Sequence, residues 1–222
     1  MSKKNISQEK IIQSFLTCAF EKSAGATSLA DIADILEIKK ASLYNHFDSR
    51  DAMYESTLTY CNDEIKKINF ITEKTLENIT SGKAALNSTF KRLITRLFNL
   101  YENEPLFAMY TFICSEKYFN VQAMNIFLKF TDRITDEVKQ IISAFSAAGK
   151  LSIKSDKDIK ENSSVIAGVI LQQLDCYITK RKETVRQNPD CSAGSLFALP
   201  SDDLALNKAI KLIDLCLKGI SA

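Results

Sequence analysis

The segment that decides the fold is residues 27–54, which read TSLADIADILEIKKASLYNHFDSRDAMY. Its first part places apolar residues at helical spacing, which predicts a helix with one apolar face. These residues are Leu29, Ile32, Ala33 and Leu36. Ser28 is placed to cap this helix, and Asp31 follows three residues later, as in a capping box. The pattern predicts two short helices joined by a tight turn at residues 37–39, with another helix close behind.

The second helix of this pair is predicted to run from about Lys40 to Phe47 and to bury only Leu43 and Phe47. Its remaining side chains stay outside, and they are Lys39, Lys40, Ser42, Tyr44, Asn45 and His46. A short helix with so many polar side chains is poorly suited to burial in a core but is suited to the major groove of DNA. The same geometry also occurs in ordinary helical cores. There the two lysines would form a solvated face, His46 would be a surface residue and Tyr44 would simply pack.

The chain resembles the N-terminal domain of TetR-family transcriptional regulators over about residues 6–60. The specific part is Leu43 to Phe47, a Leu-Tyr-x-His-Phe stretch, followed by Ser49-Arg50-Asp51. Further matches are residues 28–33, Ile38, Ala41 and Ser42. The resemblance implies a ligand-responsive repressor that binds a palindromic operator as a homodimer and is released by a small ligand.

The resemblance also implies roles for single residues. The second helix of the pair would enter the major groove, with Lys40, Ala41 and Ser42 facing bases. Tyr44 and His46 would hold the DNA backbone, and Asn45 could do either. Ser28 and Arg50, each at a helix start, would contact phosphates, as helix N-termini and cations favour. Thr27 and Lys39 complete the predicted DNA-contact set, Lys39 as a further phosphate contact.

Two residues depart from the family pattern. Glu37 stands in the turn where the family usually has glycine, which suits a positive φ. Lys39 stands where the family often has Ser or Thr. The second helix of the pair, called the recognition helix below, is therefore expected to lack a side-chain cap. We therefore expect a strained or slightly different turn.

Composition indicates a soluble globular protein, with 222 residues, 45% hydrophobic and 25% charged. No apolar run approaches the ~20 residues that span a bilayer, and the N-terminus has no apolar stretch of signal-peptide kind. We therefore expect a cytoplasmic chain without a membrane partner. Residues 1–50 carry seven basic and six acidic side chains. Positive charge must be local, and nonspecific DNA affinity should be modest.

The sequence offers little for catalysis. Its six cysteines lack Cys-x-x-Cys spacing and it has one histidine, which argues against a zinc site. No Gly-rich phosphate loop and no evident nucleophile–base pair occur. We expect no enzyme, no metal and no cofactor. A helical adaptor that has lost specific DNA binding remains the alternative, and a gel-shift assay separates it from a repressor.

Helical periodicity continues along the chain, without a strand pattern of period two. It predicts an all-α fold of about nine helices, with a three-helix DNA-binding head over residues 1–50. Residues 51–222 would form a larger helical bundle for ligand binding and dimerisation. Gly25 is expected to end the first helix, Ser49 to cap the fourth and Ser155 with Asp158 to start the eighth. Ser201 is expected to cap the ninth.

Two late helices, near residues 156–186 and 201–219, look like the pair through which TetR-family members dimerise. Residues 163–174 are uncharged, and the small residues Ser163, Ala167 and Gly168 would allow close helix approach. Gly168 costs on the order of 1 kcal/mol in a helix interior relative to alanine, and tight packing would offset that. The alternative is burial of these helices inside a monomeric bundle.

Aromatic residues are concentrated in residues 90–145, which hold eleven of the chain's twenty. Ligand sites are mostly apolar with a few placed polar groups, so this region is a candidate site for a small apolar or aromatic ligand. The candidate contacts are Phe98, Tyr101, Phe107, Tyr110, Thr111, Tyr118, Phe127, Phe130 and Gln172. Alternatively, the aromatics only fill the core.

Overall fold

Helices account for the regular structure of the described chain, which covers residues 6–188 and 199–221 of a computed structural model. The α-helices are α1 (Gln8–Lys22), α2 (Leu29–Leu36), α3 (Arg50–Ile65), α4 (Glu73–Thr80), α5 (Leu86–Tyr101), α6 (Leu106–Glu116), α7 (Val121–Ala147), α8 (Asp156–Gln187) and α9 (Asp203–Lys218). A 3₁₀ helix, Lys40–Asn45, lies between α2 and α3. Extended pairing in this part of the chain is an isolated bridge between Leu151 and Ser221. The predicted all-α fold is confirmed.

Helix starts follow the local capping signals in the sequence. The Ser49 hydroxyl oxygen accepts a hydrogen bond from the N–H of Ala52 at 3.0 Å, at the start of α3. The Ser155 hydroxyl oxygen accepts one from the N–H of Asp158 at 3.0 Å, at the start of α8. Both caps were predicted because a hydroxyl at this position satisfies a free helix N–H. No helix among the described residues has the length and apolarity of a membrane span.

One helix ends earlier than the sequence predicts, and one helix was not predicted. Helix α1 ends at Lys22, before Gly25, and Ser23 takes the positive φ of 79°. Helix α4 was not predicted, because it has eight residues and its buried side chains are only Thr75 and Ile79. So short an element carries too few apolar residues to show a helical period.

The expected cap of α9 is also wrong. Asp202, not Ser201, accepts a hydrogen bond from the N–H of Ala205, at 2.9 Å. The Ser201 hydroxyl instead donates to Glu102 Oε1 at 2.5 Å. The Glu102 carboxylate is only 7% exposed, and it also accepts a hydrogen bond from the Tyr177 hydroxyl. Ser201 bonds to Glu102 instead of capping the helix, because a buried carboxylate is costly unless it is hydrogen-bonded.

The chain divides into two compact units, the first made of residues 1–67 and 105–128 and the second of residues 68–104 and 129–222. In the first, α6 packs against α1 and α3. There the Phe15 ring makes edge contacts with Tyr54 and Phe112, at centroid distances of 6.2 and 6.0 Å. In the second unit, α5, α8 and α9 pack together. The functional division between residues 50 and 51 stays a prediction.

Side chains of α5 and α7 hold the segment before α4 in the second unit. The Glu137 carboxylate accepts a hydrogen bond from the N–H of Ile71 at 2.7 Å. Arg96 Nη1 donates to the carbonyl oxygen of Asn69 at 2.6 Å. Burial raises the pKa of Glu137, and the bonds from main-chain N–H groups oppose that shift only in part.

Candidate nucleic-acid interface

The N-terminus of α2 is held by a complete capping box. The Ser28 hydroxyl oxygen accepts a hydrogen bond from the N–H of Asp31 at 3.2 Å, and Asp31 Oδ2 accepts one from the N–H of Ser28 at 2.8 Å. Lys22 Nζ lies 2.6 Å from the other oxygen, Asp31 Oδ1. The Lys22 ammonium and then the Ser28 donors hold the pKa of Asp31 well below its usual range. This predicted box fixes an exposed helix start at Ser28.

The turn of the helix pair confirms the strain expected at Glu37. This residue adopts the left-handed conformation, with φ 54° and ψ 44°. The N–H of Ile38 donates to the carbonyl oxygen of Ala33 at 3.0 Å, and the N–H of Glu37 donates to that of Asp34 at 3.1 Å. These two bonds form a Schellman motif, in which the left-handed position is usually glycine. Glu37 thus adopts a backbone conformation that glycine usually adopts at this position.

The recognition helix is shorter and tighter than predicted. It is a 3₁₀ helix that ends at Asn45, not an α-helix that reaches Phe47. The N–H of Ser42 donates to the carbonyl oxygen of Lys39 at 2.8 Å, and the side chain of Lys39 provides no cap, as expected. Short helices often keep the i to i+3 bonding of a 3₁₀ turn. The predicted burial of Leu43 and Phe47 is confirmed, with exposed fractions of 1% and 7%.

The predicted DNA-contact residues lie at three levels of exposure. The exposed ones are Ser28, Lys39, Lys40, Ala41, Tyr44 and Asn45. Ser42, His46 and Arg50 are half-buried, and Thr27 is buried. The structure therefore groups Lys39, Lys40, Ala41, Tyr44 and Asn45 on one exposed polar segment above Leu43 and Phe47.

Hydrogen bonds that sequence reasoning did not foresee hold the end of the 3₁₀ helix and the loop that leads into α2. Gln8 Nε2 of α1 donates to the carbonyl oxygen of His46 at 2.9 Å. Arg50 Nε donates to the carbonyl oxygen of Thr27 at 2.9 Å, and its Nη2 donates to that of Ala24. The Thr27 hydroxyl donates to the carbonyl oxygen of Ser23 at 2.8 Å. Such bonds to main-chain oxygens leave no periodic signal in a sequence.

The nine candidate ligand contacts divide between the two compact units. Phe98, Tyr101, Phe130 and Gln172 belong to the second, and Phe107, Tyr110, Thr111, Tyr118 and Phe127 belong to the first. Tyr118 and Gln172 are exposed and Phe127 is half-buried, whereas the other six are buried. A groove of about 550 Å³ in the second unit is lined by Leu76, Thr80, Asp136, Lys139, Gln140, Ser143 and Ala144. None of the nine candidates lines that groove.

Sequence comparison identifies a family profile and similar proteins for part of the chain. Residues 11–57 match the profile described as bacterial regulatory proteins, tetR family. A biofilm operon icaADBC negative transcriptional regulator, IcaR of Staphylococcus aureus, is 33% identical over 95 residues, which are 43% of this chain and 48% of that protein. IcaR of Staphylococcus epidermidis is 39% identical over 54 residues, 24% of this chain and 29% of the relative. The chain thus spans about half the length of the relatives it matches, or less.

Solved structures agree with the fold along nearly the whole chain. A TetR transcription regulator from Haloarcula marismortui superposes with a TM-score of 0.59 at 13% identity, covering 97% of this chain and 98% of that one. The ketosteroid transcriptional regulator KstR2 of Mycobacterium tuberculosis superposes with a TM-score of 0.54 at 16% identity, covering 99% and 97%. At such identities the likeness establishes the fold. The matched profile and the relatives are described as regulatory proteins.

Proposed function

We propose that this chain, which belongs to the TetR family by its N-terminal domain, is a transcriptional repressor that binds a palindromic operator as a homodimer. The observation that carries the proposal is the exposed polar segment from Lys39 to Asn45, seated on buried Leu43 and Phe47. It lies within the matched residues 11–57, and IcaR, a relative over 95 residues, is a negative transcriptional regulator.

The proposed DNA contacts follow the exposure of the side chains. Lys40, Ala41 and Ser42 read base edges, and Lys39 and Ser28 meet phosphates. Tyr44 and His46 hold the DNA backbone, and Asn45 meets either the backbone or a base. The Thr27 side chain is 2% exposed and its hydroxyl donates to the carbonyl oxygen of Ser23, so it is left out of the proposed contacts. Phosphate contacts set the register of such a complex, and base contacts set its sequence preference.

The homodimer is proposed to form through α8 and α9, which carry exposed apolar side chains. Val165 on α8 is 59% exposed, and Leu204 and Leu215 on α9 are 85% and 62% exposed. Gly168 is also exposed, and a Cβ built there meets no described atom within 4 Å. Packing inside this chain therefore does not explain the glycine, whereas close approach of a second copy does. Two-fold symmetry of the dimer then requires a two-fold symmetric operator.

Release from DNA is proposed to follow binding of a small, largely apolar ligand to the helical body. Buried aromatic residues among the nine candidates support this: Tyr101 and Phe130 lie 5.5 Å apart between ring centroids in the second unit. Such a ligand lowers DNA affinity only if it binds the DNA-competent and the released states with different affinity. A thermal-shift screen with apolar compounds tests this. The ligand proposal is wrong if no compound both stabilises the protein and releases it from its operator.

Selection of bound duplexes from a random pool by purified protein tests the DNA-binding proposal. We expect enrichment of a two-fold symmetric site. The matched control is the double variant Lys40→Ala with Tyr44→Ala, which removes two exposed side chains and leaves the buried pair intact. If the wild type enriches no sequence although it is folded, the adaptor alternative is favoured instead.

A further inference from the structure

The guanidinium of Arg50 binds the loop between α1 and α2. Its Nε donates to the carbonyl oxygen of Thr27 at 2.9 Å, and its Nη2 donates to that of Ala24. Both acceptor residues are buried, with exposed fractions of 2% for Thr27 and 1% for Ala24. The guanidinium carbon also lies 5.9 Å from the centroid of the Phe15 ring. Two N–H groups of the Arg50 guanidinium are thus directed into the protein.

The loop that Arg50 binds is itself an ordered turn. The N–H of Thr27 donates to the carbonyl oxygen of Ala24 at 3.2 Å. The Thr27 hydroxyl donates to the carbonyl oxygen of Ser23 at 2.8 Å. Ser23 itself has φ 79° and ψ 155°, a region that non-glycine residues keep only when their surroundings hold them there. Arg50 adds two bonds from another helix to this strained turn.

This loop leads directly into a helix start that we propose to face DNA. Thr27 precedes Ser28, the N-cap of α2, and Arg50 is the first residue of α3. One guanidinium therefore joins the N-termini of two helices. The free N–H groups of a helix N-terminus bind phosphate, so the spacing of these two ends decides whether both can meet one DNA backbone.

We propose that Arg50 is a positioning residue that fixes the N-terminus of α2 relative to that of α3, and that it raises DNA affinity through this spacing. The inference rests on the proposed DNA-binding function. It departs from the role implied by the family resemblance, in which Arg50 itself contacts a phosphate. Lysine carries the same charge but lacks the planar fork that binds two carbonyl oxygens together, so substitution by lysine separates the two roles.

The test measures operator affinity of Arg50→Lys and Arg50→Ala at several salt concentrations, with the operator selected by the wild type. Measurements are made at low temperature, where circular dichroism shows each variant to be folded. We expect both variants to bind about tenfold more weakly, a loss of ~1.4 kcal/mol, because neither lysine nor alanine holds both carbonyl oxygens and fixes the spacing of the two helix starts. The slope of log affinity against log salt should stay at the wild-type value in both.

Different results overturn the inference in distinct ways. If Arg50 contacts a phosphate, Arg50→Lys binds like the wild type and Arg50→Ala loses about 0.9 of the salt slope. If Arg50 only stabilises the fold, both variants melt earlier but bind with unchanged affinity when folded. Ile65→Val is the stability control, because it trims a buried residue of α3 away from the loop and should leave affinity unchanged. A wild type that binds no duplex overturns the DNA-binding function and this role together.

Discussion

The main-chain N–H of Ile38 donates a hydrogen bond of 3.0 Å to the carbonyl oxygen of Ala33, which closes the turn of the helix pair. Glu37 lies between them at φ 54°. The left-handed conformation of a non-glycine residue costs roughly 1–2 kcal/mol of folding free energy. In this chain that cost falls on the turn that sets the angle between α2 and the recognition helix.

Glu37→Gly is expected to stabilise the protein. The variant removes the left-handed strain of about 1–2 kcal/mol. Glycine has more conformational freedom in the unfolded state, which offsets about 0.5–1 kcal/mol of this stabilisation. Denaturant titration should give a higher midpoint for the variant. The control is Gln13→Gly at an exposed position inside α1, where glycine should destabilise by about 1 kcal/mol. Equal destabilisation of both variants would contradict the strain.

Lys40→Ala is expected to reduce specific DNA affinity by about 1–3 kcal/mol, because one base contact is lost. Fluorescence anisotropy with the selected operator and with a scrambled duplex checks this, and the loss should be larger for the operator. Lys83→Ala is the charge-matched control, since Lys83 is exposed and lies outside the helix pair. The same loss on both duplexes would assign Lys40 to a phosphate instead of a base.

Gly168→Leu is expected to dissociate the homodimer without unfolding the chain. A Cβ added at this exposed position meets no described atom of this chain within 4 Å, but a leucine there would separate two helices that approach closely at glycine. Light scattering coupled to size-exclusion chromatography measures the mass, and circular dichroism measures the fold. Lys91→Leu on α5 is the control for an added exposed leucine. A wild type that is already monomeric at micromolar concentration refutes the dimer.

Glu137→Gln is expected to change how stability depends on pH. Burial raises the pKa of Glu137 above its ordinary 4.5, so its contribution is fully present below the unfolded-state pKa and is lost as pH rises through the raised folded-state pKa. Glutamine keeps an oxygen that accepts the N–H of Ile71 but does not titrate. The free energy of unfolding of the variant, relative to the wild type, should therefore increase as pH rises from about 4.5, the unshifted value, towards neutrality.

Neighbouring groups of Glu137 oppose the effect of burial on its pKa. Hydrogen bonds from the main-chain N–H groups of Ile71 and Phe70 lower the pKa of Glu137, and the positive charges of Arg133 and Arg96 lower it further, but burial raises it more. Urea titrations of wild type and variant across this pH range provide the comparison. A difference between the two proteins that shrinks with rising pH would mean that these hydrogen bonds and charges outweigh burial. The control is Glu161→Gln at an exposed position of α8, which shows the effect of the same substitution where burial is absent.

The sequence by itself determined the features that depend on near neighbours in the chain. Ser28 with Asp31 predicted a capping box, and the apolar pair Leu43 and Phe47 predicted which face of the recognition helix is buried. Glu37 in a glycine position predicted a strained turn. Each of these depends on a few successive residues, because caps, turns and helical faces are formed within one or two turns of chain.

Only the tertiary structure decided which of several available partners a polar group takes. Arg50 binds a carbonyl oxygen 26 residues earlier, and Ser201 leaves its expected helix cap for Glu102, 99 residues earlier. A hydroxyl or guanidinium can satisfy its hydrogen bonds locally, in solvent or on a distant buried acceptor, and the sequence does not rank these options. The buried acceptor prevails because leaving it unpaired costs more free energy than leaving a solvent-exposed helix end uncapped.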